Sequence, residues 1–319
     1  MKTLPHQSEI PFISDGGQET TLVFLENIEL PCFAAFHYLV QPGGRGWFRR
    51  YYEDYIDLAR RFGAGFVLES PTWRANPDWG RQLGYAAPEL REVNRRSIEL
   101  LLELRDEQAD VPMVVSGCIG PRGDGYAADR CMSAEVAEEY HSAQAAAFRE
   151  FGADVVTAMT MTHAGEAAGV ARAAAAVGLP SVISFTTETD GRLPDGMPLD
   201  EAIGQLDALG SAAPAYFMIN CMHPTHVEPA VTSQGTWRER IVGLRANASC
   251  RSHAELDEAT ELDIGNPVEL AQHYQDFRRI FPNLNVFGGC CGTDVRHLGE
   301  ICACCFGGAT AAKPVLRAA

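Results

Sequence analysis

The chain has 319 residues, 46% of them hydrophobic, and a formal net charge of −16. Its length suits two ordinary domains or one large α/β barrel, and its acidic balance argues against nucleic acid or an anionic membrane surface as partner. The polar start carries no apolar signal segment, no apolar run reaches ~18 residues, and ten cysteines without a secretion signal point to reduced thiols in the cytoplasm.

Strand-like and helix-like runs alternate along the chain. Residues 11–17 read as a first strand ending in Ser14-Asp15-Gly16-Gly17. A loop rich in aromatics follows (Phe33, Phe36, Tyr38, Trp47), then a helix over 47–62. A second strand, 65–72, leads to a helix over 88–108, and a third, 111–116, opens into a glycine-rich loop over 117–125. The next helix runs from 133 to 151, with Glu135 and Glu138 in its first turns, where acids favour the helix dipole. The remaining strands are expected at 154–159, 181–187, 215–220, 241–247 and 284–287. Helices are expected at 164–177, 199–209, 225–240, 267–281 and 295–305.

Eight β-then-α units with apolar strands of the buried, parallel kind predict a (β/α)8 barrel. The expected organisation is a single domain over 1–319 with its core at about 11–306. The competing architecture is a doubly wound open sheet. It would carry a G-x-G-x-x-G phosphate fingerprint after strand one, and Asp-Gly-Gly-Gln-Glu is not one.

A barrel places its active site at the C-terminal ends of its strands. The polar residues expected there are Asp15, Glu69, Cys118, Glu188, Cys221, Asn247, Cys290 and Cys291. The pair Cys290-Cys291 is boxed by Gly288, Gly289 and Gly292. Vicinal cysteines, with Cα atoms about 3.8 Å apart, form a relaxed disulfide with difficulty. Two neighbouring thiolates suit a soft metal, Zn²⁺ above all, and the glycines permit the sharp turn that brings them together. Cys221, ending strand six, is a candidate third ligand. Three thiolates would leave one position of a tetrahedral zinc open, the layout of a catalytic site. The alternative makes Cys221 a small buried apolar side chain.

Other groups have plainer readings. Cys302, Cys304 and Cys305 sit on the last helix; Cys302 and Cys305, on one helical face, read as core thiols, with a second metal or redox cluster of the three as the competing reading. His223 and His226 offer a rival metal spacing after Cys221, which Pro224 and the start of a helix disfavour. Phe36, Tyr38, Trp47 and Trp73 could wall the site against a cationic ligand by cation–π attraction, or simply pack the loop.

Several motifs bear a family resemblance. Phe287-Gly-Gly-Cys-Cys-Gly-Thr-Asp294 resembles the G-G-C-C-G-T segment of the homocysteine S-methyltransferase family, and Asn220-Cys-Met-His-Pro224 its N-C-x-x-P. Ser14-Asp-Gly-Gly17 is similar to its opening D-G-G, and Ser116-Gly-Cys-Ile-Gly-Pro121 to its third-strand G-x-x-G-P. Ser184-Phe-Thr with Asp190-Gly-Arg-Leu-Pro-Asp-Gly196 resembles its fifth-strand segment. The resemblance spans about 11–305 and implies a zinc barrel with Cys221, Cys290 and Cys291 as metal ligands. It implies transfer of a methyl group from a small onium donor to a thiol, most simply homocysteine to give methionine. Zinc would hold that thiol as the nucleophilic thiolate. Asp15 and the amides of Gly16 and Gly17 would hold the amino and carboxylate ends, and Asn220 belongs to the same site. Related enzymes form oligomers, so a homo-oligomer is a further expectation.

This chain also departs from the family pattern. Met159 stands where the family's strand-four Glu would grip the substrate amine. Thr21 stands near the place of a later acidic residue, and strand seven reads Arg245-Ala-Asn247 in place of Y-P-N-x-G. Glu188 or Glu69 could supply the missing charge. Otherwise the acceptor would be a thiol other than homocysteine, with alkyl transfer or demethylation as its chemistry. A zinc-holding barrel without turnover is the third reading.

Overall fold

Eight short parallel strands close on themselves in sequence order. The computed structural model describes residues 3–232 and 235–307. The strands are β1 (Phe12–Ile13), β2 (Gly65–Glu69), β3 (Met113–Ile119), β4 (Val155–Met161), β5 (Ser181–Phe185), β6 (Tyr216–Asn220), β7 (Ile241–Ala246) and β8 (Val286–Gly289). Strand β1 pairs in parallel with both β2 and β8, which leaves no sheet edge and excludes the open doubly wound sheet. The principal helices are α1 (Gly44–Phe62), α2 (Ala87–Glu107), α3 (Ala134–Phe151), α4 (Ala164–Ala176), α5 (Leu199–Asp207), α6 (Pro224–Val227), α7 (Pro267–Ile280) and α8 (Val295–Phe306).

Alternation along the strands builds the barrel in layers. Phe12, Val67, Val114, Val155, Val182, Tyr216, Met218, Val242 and Val286 form one buried cluster. These mostly branched side chains plug the lower barrel. The outward faces pack on the helices: Phe48, Tyr52, Ile56 and Ala59 of α1 share a core with Ile13, Phe66 and Leu68. Two residues further up the strands the layer turns polar, with Ser14, Glu69, Ser116, Thr157, Ser184 and Asn220 all buried. That polar layer is the floor of the site.

Several boundaries differ from the sequence reading. Strand β1 is two residues long, and the following Asp15-Gly16-Gly17 turns across the barrel mouth. Strand β3 extends to Ile119, which puts Cys118 on the strand and not in the loop. Strand β4 runs to Met161 through a register shift after Ala158, with Thr160 at φ 61°. The helix expected at 225–240 is broken into α6, a turn at Ala230–Thr232 and a short helix at Trp237–Arg240. Pro229 lacks the amide that a continuous helix needs there. Residues 233–234 of that expected helix, and residues 1–2 and 308–319 of the expected domain, lie outside the described residues. Among the described residues no helix is long and apolar enough to cross a membrane.

Candidate active site

The turn after β8 carries the cysteine pair. The Cys290 amide donates to the Ala246 carbonyl at 2.8 Å, and the Cys291 amide to Asn247 Oδ1 at 3.1 Å. Gly292 follows at φ 79°, a left-handed conformation that glycine adopts without strain. Gly288 and Gly17 are required by contact instead. A Cβ on Gly288 would lie 2.0 Å from Ser14 Oγ, and one on Gly17 would lie 2.6 Å from the Cys290 carbonyl oxygen.

Cys221 follows β6 at φ 58°, which costs a non-glycine residue on the order of 1 kcal/mol. Its surroundings hold it there. Its amide donates to the Arg245 carbonyl at 3.1 Å, and its carbonyl accepts from His253 Nε2 at 2.9 Å. The result brings the Sγ atoms of Cys221, Cys290 and Cys291 within 4.8 Å of one another. Cys221 Sγ and Cys291 Sγ are 3.8 Å apart. Two thiolates on a tetrahedral zinc, each at about 2.3 Å from the ion, are themselves about 3.8 Å apart. The donor set and its spacing therefore fit such an ion.

Packed this closely, the thiols do not ionise alike. Hydrogen bonds from Cys221 and then Cys290, with one from Tyr126, hold the Cys291 thiol well below its usual range. Cys221 is raised by its contacts with Cys290 and Cys291 and by burial. The Tyr126 hydroxyl lies 3.4 Å from Cys291 Sγ and 3.7 Å from Cys221 Sγ. Its ring stacks on His253 with centroids 4.2 Å apart.

A cavity of about 360 Å³ opens beside the sulfurs. Of the expected site residues, Gly16, Gly17, Met159, Trp73 and the three cysteines line it, and so do Glu69 and Cys118. Burial pushes the Cys118 thiol up, which keeps it protonated. Four expected residues stand behind the wall. Asp15 is 0% exposed, and its carboxylate accepts from Arg245 Nη2 at 2.7 Å and Gln18 Nε2 at 2.5 Å. Asn220 clamps the bulge of β4, accepting from the Thr160 amide at 3.0 Å and Ser184 Oγ at 2.6 Å. Asn247 shapes the cysteine turn. Glu188 pairs with His253 Nδ1 at 3.2 Å and does not line the cavity. The Gly17 amide is committed to the Thr293 carbonyl at 3.0 Å.

The aromatic wall differs from the one expected. Phe36 packs with Ala34, Ala75, Leu90 and Val93, and Trp47 stacks on Tyr51 with centroids 5.0 Å apart. Tyr38 meets Trp47 edge-on. The rings on the cavity are Trp73, Phe24, Phe33 and Tyr126. Cys302 and Cys305 are buried in the main core, and Cys304 lies half-buried on α8 near Gln275. His223 caps α6 and sits against His226 and His273, apart from the three-sulfur group.

Arg245 is a cavity residue that the strand pattern did not single out as part of the site. It is 7% exposed, rises from β7 into the barrel centre, and lines the cavity. A Cβ on Gly288 would meet its Cγ at 2.9 Å, so the glycine makes room for it. Glu19, two residues before Thr21, supplies an acid on the wall, while the Thr21 hydroxyl turns back to the Gly17 carbonyl at 2.8 Å.

Glu69 is 4% exposed, and burial raises its pKa from 4.5 to about 7, partly offset by Arg245. A raised carboxyl favours folding while protonated and opposes it once ionised. Its contribution is complete below pH 4.5 and is lost as pH rises through 7. Glu69→Gln mimics the protonated form. It is expected to melt several degrees above the parent at pH 8, about 2–3 kcal/mol at most, with the gain largely gone at about pH 5. Thermal unfolding at the two pH values checks this.

A closed (β/α)8 barrel with three convergent thiols beside a cavity at its mouth belongs to the class of barrel enzymes that work from the strand C-termini. The homocysteine S-methyltransferase family profile matches residues 12–305, and the chain belongs to that family of methyltransferases. Solved structures of the homocysteine methyltransferase MmuM from Escherichia coli share the fold. Its metallated form is 20% identical with a TM-score of 0.72, covering 93% of this chain and 96% of that one. Its oxidised form is 20% identical with a TM-score of 0.73, covering 94% and 98%.

Proposed function

We propose that the protein is a zinc-dependent S-methyltransferase that moves a methyl group from a small onium donor to homocysteine, giving methionine. The observation that carries this reading is the 3.8 Å separation of Cys221 Sγ and Cys291 Sγ within a buried three-sulfur group. Cys221, Cys290 and Cys291 would hold the ion, and its chemistry there would be to keep a substrate thiol as the thiolate at neutral pH.

The chain's own groups do the rest. Tyr126 lies against two of the sulfurs and lets its hydroxyl steady their charge. Trp73, Phe24 and Phe33 exclude water and offer ring faces to a cationic methyl donor. Asp124 and Glu261 on the wall favour the same positive charge, and Glu19, raised to about 7 by burial, adds to it once ionised. Overall, the acceptor thiol gives up its proton to solvent, one carbon–sulfur bond forms on its sulfur, and the methyl–onium bond of the donor breaks. The electron pair stays with the donor, which leaves neutral. The walls contribute by alignment, bringing acceptor and methyl group together in one cavity.

A second reading replaces homocysteine with another thiol. It is favoured by Met159 on the wall and by the engagement of Asp15 with Arg245. A cytoplasmic location and self-association remain parts of the proposal. The test is zinc content together with product formation from homocysteine and a panel of sulfonium and quaternary ammonium donors. The expected result is about one zinc per chain and methionine from at least one donor, lost on chelation. Methionine formation that survives complete removal of zinc would contradict the proposal.

A further inference from the structure

The floor of the cavity holds a guanidinium and a carboxyl group that do not satisfy each other. Arg245 and Glu69 are both more than nine-tenths buried, and both line the cavity that holds the three sulfurs. Arg245 commits Nη2 to Asp15 and Nε to the Gly289 carbonyl at 3.1 Å, while its Nη1 has no partner. Glu69 Oε2 likewise has no partner. Each acts on the other electrostatically, yet they form no ion pair. A buried donor or acceptor left unmade costs about 1–3 kcal/mol, and more when charged, so such a pair calls for an outside partner.

We propose that Arg245 and Glu69 form a clamp for the α-amino-acid head of the acceptor, Arg245 taking the carboxylate through Nη1 and Glu69 taking the ammonium through Oε2. This deepens the proposed function and rests on its thiol acceptor. The clamp replaces the amine grip that Met159 cannot provide and that Asp15, bonded to Arg245 and Gln18, has already spent. A zwitterion suits the floor because it presents both signs at once. A guanidinium edge matches a carboxylate, and the ionised Glu69 gains the cation that burial otherwise denies it. The clamp thus selects α-amino thiols over simple thiols.

Calorimetric binding to the zinc-loaded protein separates the parts. The probes are homocysteine, γ-mercaptobutyrate, which lacks the amine, and aminopropanethiol, which lacks the carboxylate. The parent protein is expected to bind homocysteine at least about tenfold more tightly than either analogue. Glu69→Gln, nearly isosteric, should erase the preference over γ-mercaptobutyrate. Arg245→Lys should erase the preference over aminopropanethiol, because an ammonium cannot reproduce the guanidinium fork. Equal binding of homocysteine and γ-mercaptobutyrate by the parent overturns the clamp, as does a preference that survives Glu69→Gln, while the thiol chemistry stands. Failure of every thiol to bind the zinc-loaded parent overturns the functional reading itself, and the clamp with it.

Discussion

Cys290→Ala is expected to abolish stoichiometric zinc binding and to lower methyl transfer by at least about a thousandfold. Among the described residues the only group placed to hold a metal is Cys221, Cys290 and Cys291. Removing one sulfur leaves two protein ligands, fewer than the three that catalytic zinc sites keep. No nearby side chain can substitute. Cys118 lines the cavity but is held protonated by burial, and the Tyr126 hydroxyl is a poor exchange for a thiolate. Without the ion the substrate thiol stays largely protonated at neutral pH, which costs about thirtyfold, and it also loses the anchor that aligns it with the methyl donor, which supplies the rest of the loss. The fold should survive, because the turn is held by main-chain bonds to Ala246 and to the Asn247 side chain rather than by the Cys290 sulfur. Metal analysis and circular dichroism on the purified variant check both halves.

Arg245→Met is expected to destabilise the protein by about 3–5 kcal/mol. Asp15 is fully buried, and its carboxylate depends on Arg245 Nη2 at 2.7 Å. Methionine fills much of the volume but leaves that carboxylate uncompensated, and Glu69 loses its cation as well. The cause can be isolated. Asp15→Asn removes the stranded charge while keeping a side chain that can still meet Gln18. The double variant should therefore recover much of the loss, giving a coupling energy of at least about 1 kcal/mol. Urea unfolding of the parent, both single variants and the double variant measures it. Equal loss in Arg245→Met and in the double variant would place the cost in packing over Gly288 instead.

The parts of this site that sequence reveals are those tied to strand ends. Cys221, Cys290 and Cys291 each follow a short apolar run closely, so the barrel pattern alone carries them to one mouth. The strand count and order follow from the same alternation. What sequence conceals is fixed by long-range packing. Tyr126 and Phe33 reach the cavity from irregular segments whose return path no periodicity encodes. Asn220, expected on the substrate, is instead spent on the β4 bulge, which depends on a register shift against β5. Arg245 had a local signal, a lone charge within the buried run Ile241–Ala246. Its meaning required knowing that Gly288 clears space for it and that Asp15 lies opposite. That salt bridge, joining residues far apart in the chain, also explains why Asp15 has no free carboxylate for an amine.

On the proposed function, three cysteine sulfurs hold a metal and leave a position for the substrate thiol. X-ray absorption at the zinc edge counts sulfur neighbours directly. The zinc-loaded protein is expected to give three sulfurs per ion, rising to four when homocysteine is added. A count of two or fewer, or a count that homocysteine leaves unchanged, would contradict it.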